Sequence, residues 1–366
     1  MRVLHVATLF SPDAAYGGPI RVALNQAAAL TAAGHQVTVA GSHRGYATAP
    51  TEQDGVPLQL FAALRVVPRT GFAGLSSPGL LRWAATHLRG FDVVHVHLAR
   101  DLVTLPVAAL ALALGVPLVL QTHGMVDRSA RRSAGLLDAL LVRRVLRGAR
   151  HVLYLNPTEH DELRAVAGPR PRLTHLPNGV PDTALRADGA SREVLYLARL
   201  APRKRPLDFV RAAVEVHATH PALRFTLVGP DEGELSAVRQ LIAASGAASY
   251  VHYEGPLGAE AVLERLTAAS LYVLPAVDEP APMSVLEALS VGLPVVVTDT
   301  CGLAPAITET GAGVVTDGSV EQLVAAIRSC FDGSGTRERL AGRALEAARE
   351  TFGMAPVARR LAELYR

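Results

Sequence analysis

The order of apolar patterns along the chain limits its fold more than any other feature. Short runs rich in β-branched residues alternate with segments of helical period, as βαβ units require. In the first half, strands are expected at residues 2–7, 36–40, 92–97, 117–121, 151–155 and 173–176. Helices are expected between them at residues 19–33, 101–114, 133–146 and 157–166. This alternation predicts a parallel sheet with helices on both faces.

A stretch rich in Gly, Asp and Ala at residues 181–191 interrupts the pattern and is typical of a linker. Strands are then expected at 193–198, 224–228, 250–254, 271–274 and 294–298, with helices beginning near 206, 232, 259 and 282 and helix over most of 337–366. Because 366 residues exceed what one core usually supports, two doubly wound α/β domains are expected. Ligands of such sheets bind at the carboxyl ends of the strands, which predicts a ligand cleft between the domains.

Composition and missing motifs exclude several classes of function. The net charge is only +3 and aromatic residues make up 5%, without the basic and aromatic interleaving typical of nucleic-acid binding. Two prolines and a glycine break the most apolar stretch, residues 103–119, so a cytoplasmic protein is expected. Neither the dinucleotide fingerprint nor the P-loop occurs, which argues against nicotinamide and ATP chemistry. The absence of an Asp-x-Asp pair predicts that no metal bridges a diphosphate.

The two cysteines are too few for a disulfide framework. Cys301 and Cys330 also lack neighbouring Cys or His residues at ligand spacing. Both are expected to be reduced residues of the core.

Two carboxylates separated by seven residues follow a predicted strand. Glu279 lies ahead of a helix beginning near Pro282, and Glu287 lies one turn inside it. Proline suits the first helical position, so the amides of Met283 and Ser284 are unpaired donors. Such a helix start favours an anion, with the carboxylates on either side as acceptors for sugar hydroxyls. The alternative is an acid at a helix start together with a solvated helix residue.

Four cations, Arg199, Arg203, Lys204 and Arg205, lie between a predicted strand and the next helix. Cations at a helix N-terminus oppose the macrodipole, which is costly unless an anion also binds there. The loop therefore favours a phosphate partner. Arg199 and Lys204 lie at the carboxyl end of the strand, where ligands bind, whereas solvation is the alternative for Arg203 and Arg205.

Three further features lie in the first half. Gly17 and Gly18 join the first strand to the first helix, where glycine lets backbone amides approach a phosphate. His123 follows a predicted strand, where an imidazole can donate to a sugar hydroxyl or a phosphate; a structural role is the alternative. His95 and His97 alternate on one strand and so are expected to face the same side; without a nearby carboxylate they are interpreted as structural or cleft-lining rather than as metal ligands.

Taken in order, these features resemble the retaining glycosyltransferases of family GT4, which have the GT-B fold. The resemblance covers nearly the whole chain and rests on an ordered set of short motifs. The motifs are Gly17-Gly18, Gly34-His35-Gln36-Val37, Asp92-Val-Val-His-Val-His97, Thr122-His123-Gly124, Pro177-Asn178-Gly179-Val180, Arg199 with Lys204, Glu279 with Glu287, and Gly292-Leu-Pro-Val295.

The resemblance implies an α/β fold of two Rossmann-like, doubly wound parallel-sheet domains that face a central cleft. It implies an acceptor-binding domain at residues 1–186 and a nucleotide-sugar-binding domain at 187–347. A C-terminal helix at 348–366 is then expected to return to the first domain.

It also implies a role for each site residue. Arg199 and Lys204 would bind the donor diphosphate, Glu279 the hydroxyls of the transferred sugar and Glu287 the ribose. His123 would lie beside the sugar, and the Gly17-Gly18 loop would close on the diphosphate. The implied reaction is retaining transfer of a hexosyl group from a UDP- or GDP-sugar to a hydroxyl acceptor, without a metal or another cofactor.

Two departures from the family pattern affect the donor site. The family often has Phe-Gly where this chain has Ala281-Pro282, so one backbone donor is lost. The amide contacts are therefore expected at Ala281, Met283 and Ser284. A common acid after Cys301-Gly302 is also missing.

Several alternatives stay open from the sequence. A sugar phosphorylase or nucleotide-sugar epimerase can use the same fold, and a non-catalytic sensor of nucleotide sugars is a third reading. Polysaccharide or glycoconjugate assembly is the expected pathway, with glycosylation of a secondary metabolite as the rival. An arginine-rich stretch gives the hypothesis of contact with an anionic membrane surface or a lipid-linked acceptor; a solvated face is its alternative. Its members are Arg128, Arg131, Arg132, Arg143, Arg144, Arg147 and Arg150.

Overall fold

The chain folds into two compact units in the computed structural model, which describes residues 1–12, 17–67, 71–127, 141–333 and 335–366. The first unit comprises Met1–Gly179 and Met354–Arg366, and the second comprises Val180–Gly353. From the sequence, these boundaries were expected after residues 186 and 347. Among the described residues, no helix is both long and apolar enough to cross a membrane.

The first unit is built on a sheet of eight strands among the described residues. Its strands are β1 (Arg2–Phe10), β2 (Gln36–His43), β3 (Glu52–Gln53), β4 (Val56–Ala62), β7 (Val93–His97), β8 (Leu118–Gln121), β9 (His151–Tyr154) and β10 (Leu173–His175), while β5 (Leu64–Arg65) and β6 (Leu75–Ser76) form a separate pair. Their order is β10-β9-β8-β7-β1-β2-β4-β3, and only β3 runs antiparallel to its neighbour. The helices are α1 (Gly17–Ala32), α2 (Pro78–His87), α3 (Thr104–Ala113), α4 (Arg143–Gly148) and α5 (Pro157–Ala167).

Strands at the centre of this sheet are apolar because both faces are covered. Val3 of β1 pairs with Val93 of β7 and Val37 of β2, and all three side chains are buried. The strand β4, next to the edge of the sheet, was not predicted from the sequence. It alternates buried and exposed residues and carries Pro57 near its start, which weakens a strand signal.

The second unit has a wholly parallel sheet of six strands. Its elements are β11 (Glu193–Leu197), β12 (Arg224–Val228), β13 (Val251–Gly255), β14 (Leu271–Leu274), β15 (Val295–Thr298) and β16 (Gly313–Thr316), with α6 (Pro206–His217), α7 (Leu235–Ala244), α8 (Val262–Thr267), α9 (Met283–Ser290), α10 (Ala304–Thr310), α11 (Val320–Asp332) and α12 (Thr336–Glu350). The strand order is β13-β12-β11-β14-β15-β16. The order reverses between β11 and β14, so the loops that follow these two strands meet at a switch point, where open α/β sheets bind ligands.

The last helix, α13 (Met354–Tyr365), belongs to the first unit. Its apolar side chains, among them Val357, Leu361 and Tyr365, share a core cluster with Val3 and Leu24. Both cysteines, Cys301 and Cys330, are buried and free, as expected from the sequence.

Two local expectations need correction or restriction. Gly17 and Gly18 are the first residues of α1 and do not form a loop between β1 and that helix. Of the helix expected at residues 133–146, the part up to residue 140 lies outside the described residues, as do Arg128, Arg131 and Arg132.

Candidate functional site

The loop after β11 carries the cations that the sequence singled out. A short 3-10 turn, Pro202–Lys204, is followed by Arg205 in the left-handed backbone region, with φ of 53°. Arg205 lies 2.6 Å from Asp208 Oδ2 and donates to the Gly318 carbonyl at 2.6 Å. It therefore fixes the start of α6 and is not a solvated charge.

Lys204 is buried in this loop, with 8% of its surface exposed. Its Nζ lies 2.7 Å from Glu279 Oε2, and a guanidinium nitrogen of Arg203 lies 3.1 Å from the same oxygen. Burial lowers the pKa of Lys204, and the charge and hydrogen bond of Glu279 act in the opposite direction. The structure thus brings together two residues predicted for the site, and adds Arg203, for which solvation was the alternative.

Arg199 has a different partner. Its guanidinium donates to both carboxylate oxygens of Glu232, at 2.7 and 2.9 Å, and both side chains are about one-third exposed. Glu232 was not predicted as a site residue, because the sequence of the loop after β12 indicates only an acidic turn.

The backbone on either side of Arg199 is held by β12 and by the loop that follows it. Ala198 donates to the Val228 carbonyl at 3.0 Å. Leu200 donates to the Pro230 carbonyl at 2.8 Å, and Gly229 has a φ of 147°. A Cβ at Gly229 would collide with the Ala198 carbonyl oxygen. This close approach of two backbones requires glycine.

The second predicted motif begins after β14. Pro282 is the N-cap residue, with φ −68° and ψ 117°, so α9 begins at Met283 and not at Pro282 as expected. The Val285 amide already donates to the Pro282 carbonyl at 3.1 Å. The amides of Met283 and Ser284 are then the first two of the helix, which have no acceptor within an α-helix. Such a pair attracts an anion.

Tyr272 of β14 connects this helix start to the end of β11. Its buried hydroxyl lies 2.7 Å from Ser284 Oγ and 3.0 Å from the Leu197 carbonyl oxygen. Its pKa is raised by burial and further by the charges of Glu287 and Glu279. Glu287 is itself buried, with 6% of its surface exposed. Both carboxylates of the predicted pair therefore act on one phenol at the switch point.

In the first unit, His123 lies on a left-handed turn directly after β8. The backbone φ is 52° at His123 and 71° at Gly124. Glu159 of α5 secures this turn: its Oε1 accepts from Thr122 Oγ1 at 2.6 Å and from the Gly124 amide at 2.5 Å, and its Oε2 accepts from the Leu155 amide at 2.7 Å. A left-handed non-glycine residue costs energy and persists where surrounding contacts hold it.

Sequence reasoning missed Glu159, although one signal was present. The run Asn156-Pro-Thr-Glu159 has the spacing of a capping box, and Asn156 does accept from the Glu159 amide at 2.9 Å. The Glu159 carboxylate, however, turns to the segment from Thr122 to Gly124 as well as to the helix start. A helix-capping pattern alone does not reveal this long-range contact.

Three histidines of the first unit, His5, His95 and His97, are buried, and the ring of His123 stacks on this group. The rings of His95 and His97 lie 4.7 Å apart at 12°, so they share a side of β7, as predicted. The rings of His97 and His123 lie 5.1 Å apart at 11°, with Nδ1 of His97 2.8 Å from Nε2 of His123. Burial lowers the pKa of His123 to about 3, so its imidazole is neutral at physiological pH. Nothing in the sequence linked His5 of β1 to this group, yet its Nδ1 lies 3.0 Å from His97 Nε2.

Comparison with known families matches both units. The model of the family described as Glycosyl transferases group 1 matches residues 183–347, and that of the Glycosyl transferase 4-like domain matches residues 17–179.

Similar proteins and structures agree with these matches. A D-inositol 3-phosphate glycosyltransferase of Thermobispora bispora is 30% identical over 327 residues, covering 78% of this chain and 73% of that protein. A glycogen synthase of Mycobacterium tuberculosis is 28% identical over 288 residues, covering 75% and 68%. Anabaena Alr3699/HepE, solved in complex with UDP and glucose, has a TM-score of 0.80 at 19% identity over 99% of this chain and 98% of its own. The chain therefore belongs to the group 1 glycosyltransferases of the GT4 type, which have the GT-B fold.

Proposed function

We propose that the protein transfers a hexosyl group from a nucleotide-diphosphate sugar to a hydroxyl acceptor with retention of configuration and without a metal ion. The observation that carries this proposal is the buried Lys204–Glu279 pair beside the start of α9. A buried lysine is costly unless it is compensated, and here it lies where strand ends and helix amides favour an anion. Lys204 and Arg203 share the single carboxylate of Glu279, and a diphosphate supplies the further negative charge that this group of donors favours.

The proposed donor contacts follow from this arrangement. Lys204 and Arg199 bind the diphosphate, and the Met283 and Ser284 amides donate to its oxygens. Ala281 precedes the cap and is the third backbone contact carried over from the family pattern. Glu279 binds hydroxyls of the transferred sugar, and Glu287 binds the ribose. These last roles rest on the family resemblance and on the burial of Glu287.

The reaction we infer is a front-face substitution. The bond from the anomeric carbon to the β-phosphate oxygen breaks while the acceptor oxygen bonds to the same face. The departing phosphate oxygen takes the acceptor's proton, so no protein base is needed. Lys204, Arg199 and the helix amides stabilise the growing negative charge, which is greater in the transition state than in the bound donor.

A double displacement is the mechanism that this proposal excludes. It needs a carboxylate aimed at the anomeric carbon, as retaining glycosidases have. Glu279 is paired with Lys204 and is proposed to bind sugar hydroxyls, and Glu287 is proposed to bind ribose. A β-linked product from an α-linked donor, or a glycosyl adduct on Glu279, would overturn the proposal.

The donor and the reaction class are tested together by a donor screen. UDP-glucose is the first donor to assay, since a similar structure of Anabaena Alr3699/HepE holds this molecule; GDP- and ADP-sugars follow. Sugar release only with an acceptor alcohol supports a transferase, and activity that persists in EDTA supports the absence of a metal. Release driven by inorganic phosphate would identify a phosphorylase, epimerised donor an epimerase, and binding without turnover a sensor.

The proposed acceptor is a hydroxyl of a growing polysaccharide or glycoconjugate, carried on a lipid in one version. Arg143, Arg144, Arg147 and Arg150 are exposed, although three of them also donate to the Val166, Ala167 and Tyr365 carbonyls. Vesicle flotation tests peripheral membrane contact. Equal recovery with neutral and anionic vesicles would remove the membrane version and leave the transfer reaction untouched.

A further inference from the structure

Five side chains of the first unit form one unbroken chain of hydrogen bonds. In order they are His123, His97, His5, Tyr365 and His95. The distances are 2.8 Å from His123 Nε2 to His97 Nδ1 and 3.0 Å from His97 Nε2 to His5 Nδ1. They continue with 3.3 Å from His5 Nε2 to the Tyr365 hydroxyl and 2.7 Å from that hydroxyl to His95 Nδ1.

Each member of this chain carries one proton for hydrogen bonding. Burial lowers the pKa of His5 and His123 to about 3 and that of His95 and His97 well below its ordinary value. Burial also raises the pKa of Tyr365. The imidazoles are therefore neutral with one N–H each, and the phenol keeps its O–H.

Counting these protons leaves two arrangements. Five groups supply five protons, and the four contacts use four of them. If each contact holds one proton, all groups must donate in the same direction along the chain. The fifth proton then lies either on His123 Nδ1 or on His95 Nε2, at opposite ends.

The two ends of the chain differ in their surroundings. Among the described residues, His95 Nε2 is buried and has no hydrogen-bond partner. His123 is only partly buried, and its Nδ1 is not among the buried, unpartnered side-chain atoms of the described residues. A buried N–H without an acceptor is rarer in folded proteins than an acceptor that lacks a donor. The order that places a bare lone pair on His95 Nε2 is favoured, and it leaves the proton on His123 Nδ1.

We propose that His97 is the positioning residue that holds His123 as a neutral Nδ1–H donor, and that the buried end of the chain behind it fixes the direction in which His97 donates. The donor is suited to an uncharged or anionic oxygen, such as a sugar hydroxyl or a phosphate. That ligand assignment rests on the proposed function, whereas the proton order of the chain does not.

A metal site is the competing interpretation of the same residues. Ligand atoms of His5, His95 and His97 lie within 4.8 Å of one another. Of the six nitrogens on these rings, five already take part in the chain, and only His95 Nε2 does not. Three neutral ligands would also leave the charge of a divalent ion uncompensated in the core. Hydrogen-bond ordering accounts for the cluster better than metal ligation.

The test is the tautomer of His123, read by two-bond ¹H–¹⁵N correlation spectra of the full chain labelled with ¹⁵N-histidine. The His123 signals are assigned by their loss in His123→Asn. The expected result is an Nδ1–H imidazole with an excess of at least about tenfold over the other tautomer at neutral pH. A predominant Nε2–H form would overturn the proposal. A spectrum that changes with stoichiometric Zn²⁺ would do so in favour of the metal site.

A matched pair of variants tests whether the order of hydrogen bonds, and not side-chain packing, fixes the tautomer of His123. His97→Leu removes the partner of His123 Nε2, and His123 is expected to become a mixture of tautomers. Tyr365→Phe cuts the chain further away but leaves His5 Nε2 as the new buried end, so His123 should remain Nδ1–H. A mixture in both variants, or in neither, would contradict the proposal. If His97→Leu fails to fold, the tautomers of the unaltered chain and of Tyr365→Phe still decide.

Titration with UDP separates this inference from the proposed function. A shift of the His123 Nδ1 signal supports a ligand contact with the donor. An unchanged signal in a protein that binds UDP elsewhere would remove the ligand assignment while leaving the proton order intact.

Discussion

The two units share one architecture but differ in the groups at the carboxyl ends of their strands, which are charged in one unit and mainly neutral in the other. In the second unit the candidate site is made of charges: Lys204 with Glu279, and Arg199 with Glu232. In the first unit the corresponding strand ends carry neutral imidazoles in hydrogen-bonded order, with Glu159 bonded to the turn at His123. The second unit is suited to bind a charged group, and the first is suited to fix the direction of a hydrogen bond. Variants of the second unit should therefore act through charge, whereas variants of the first unit should act through hydrogen-bond geometry.

Loss of the buried cation should have the largest effect. Lys204→Ala is expected to lower kcat by roughly a hundredfold or more, with a smaller change in KM, because charge on the leaving diphosphate grows in the transition state. The half-exposed Arg203 is the matched control, since it pairs with the same oxygen of Glu279. Arg203→Ala should cost far less, and equal losses in the two variants would show that burial of the cation is unimportant.

Neutralising Glu279 should change the pH dependence as well as the rate. Burial already lowers the pKa of Lys204, and Glu279 counteracts it. In Glu279→Gln this pKa should fall further, so Lys204 loses its proton at a lower pH. The alkaline limb of the kcat profile should therefore move to lower pH, while turnover falls by about tenfold or more.

The outcome that contradicts this expectation is an alkaline limb that stays in place or moves to higher pH. The anomeric configuration of the product should be retained in Glu279→Gln. The variant thus also separates a residue that orients the sugar from one that attacks it.

In the first unit, Glu159→Gln should act by changing the geometry of the turn at His123, and not by changing the electrostatic potential of the site. An amide has a single acceptor oxygen, so at least one donor among Thr122, Gly124 and Leu155 loses its acceptor. Loss of a hydrogen bond to a buried charged group costs about 1.5–3 kcal/mol, and turnover is expected to fall about tenfold as His123 loses its fixed position.

Thermal unfolding and steady-state rates at two ionic strengths check this prediction. The Glu159→Gln loss should be the same at both. A loss of turnover that disappears at high salt would show that Glu159 acts through its charge. The proposed difference between the two units would then be removed. Thr122→Val, which deletes one donor to the same carboxylate, should show a smaller loss of the same kind.

The smallest effect is expected at the exposed pair of the second unit. Glu232→Gln frees Arg199 from its competing carboxylate, so the affinity for UDP should rise a few-fold at low salt and less at high salt. Calorimetry of UDP binding measures it. The gain should vanish when Arg199→Ala is combined with Glu232→Gln; if it persists, the pair with Arg199 is not its cause.

The sequence predicts the buried strands and the residues of the charged site because both leave local signals. Short strands rich in apolar residues, such as β12 and β14, were located by their pattern, while β4 and β16 were missed. Lys204 and Glu279 were singled out separately from the loops that carry them. That they form one ion pair depends on the pairing of β11 with β14, which no local pattern encodes.

The hydrogen-bonded site of the first unit was harder to predict for the same reason. His5 is one polar residue in an apolar strand, and Tyr365 lies 360 positions further along the chain. Their contact depends on the docking of α13 onto the first unit. Glu159 likewise reads as a helix cap until the turn at His123 is placed against it.

The close approach at Gly229 has a consequence for how this fold tolerates change. Any side chain there, even an uncharged one, would push on the Ala198 carbonyl, one residue before Arg199. In a saturation library, position 229 should thus accept glycine alone, although it carries no side chain of the proposed site. To change the choice of donor in the second unit, side chains of the loops can be replaced. The spacing between the backbones at Gly229 and Ala198 must be kept.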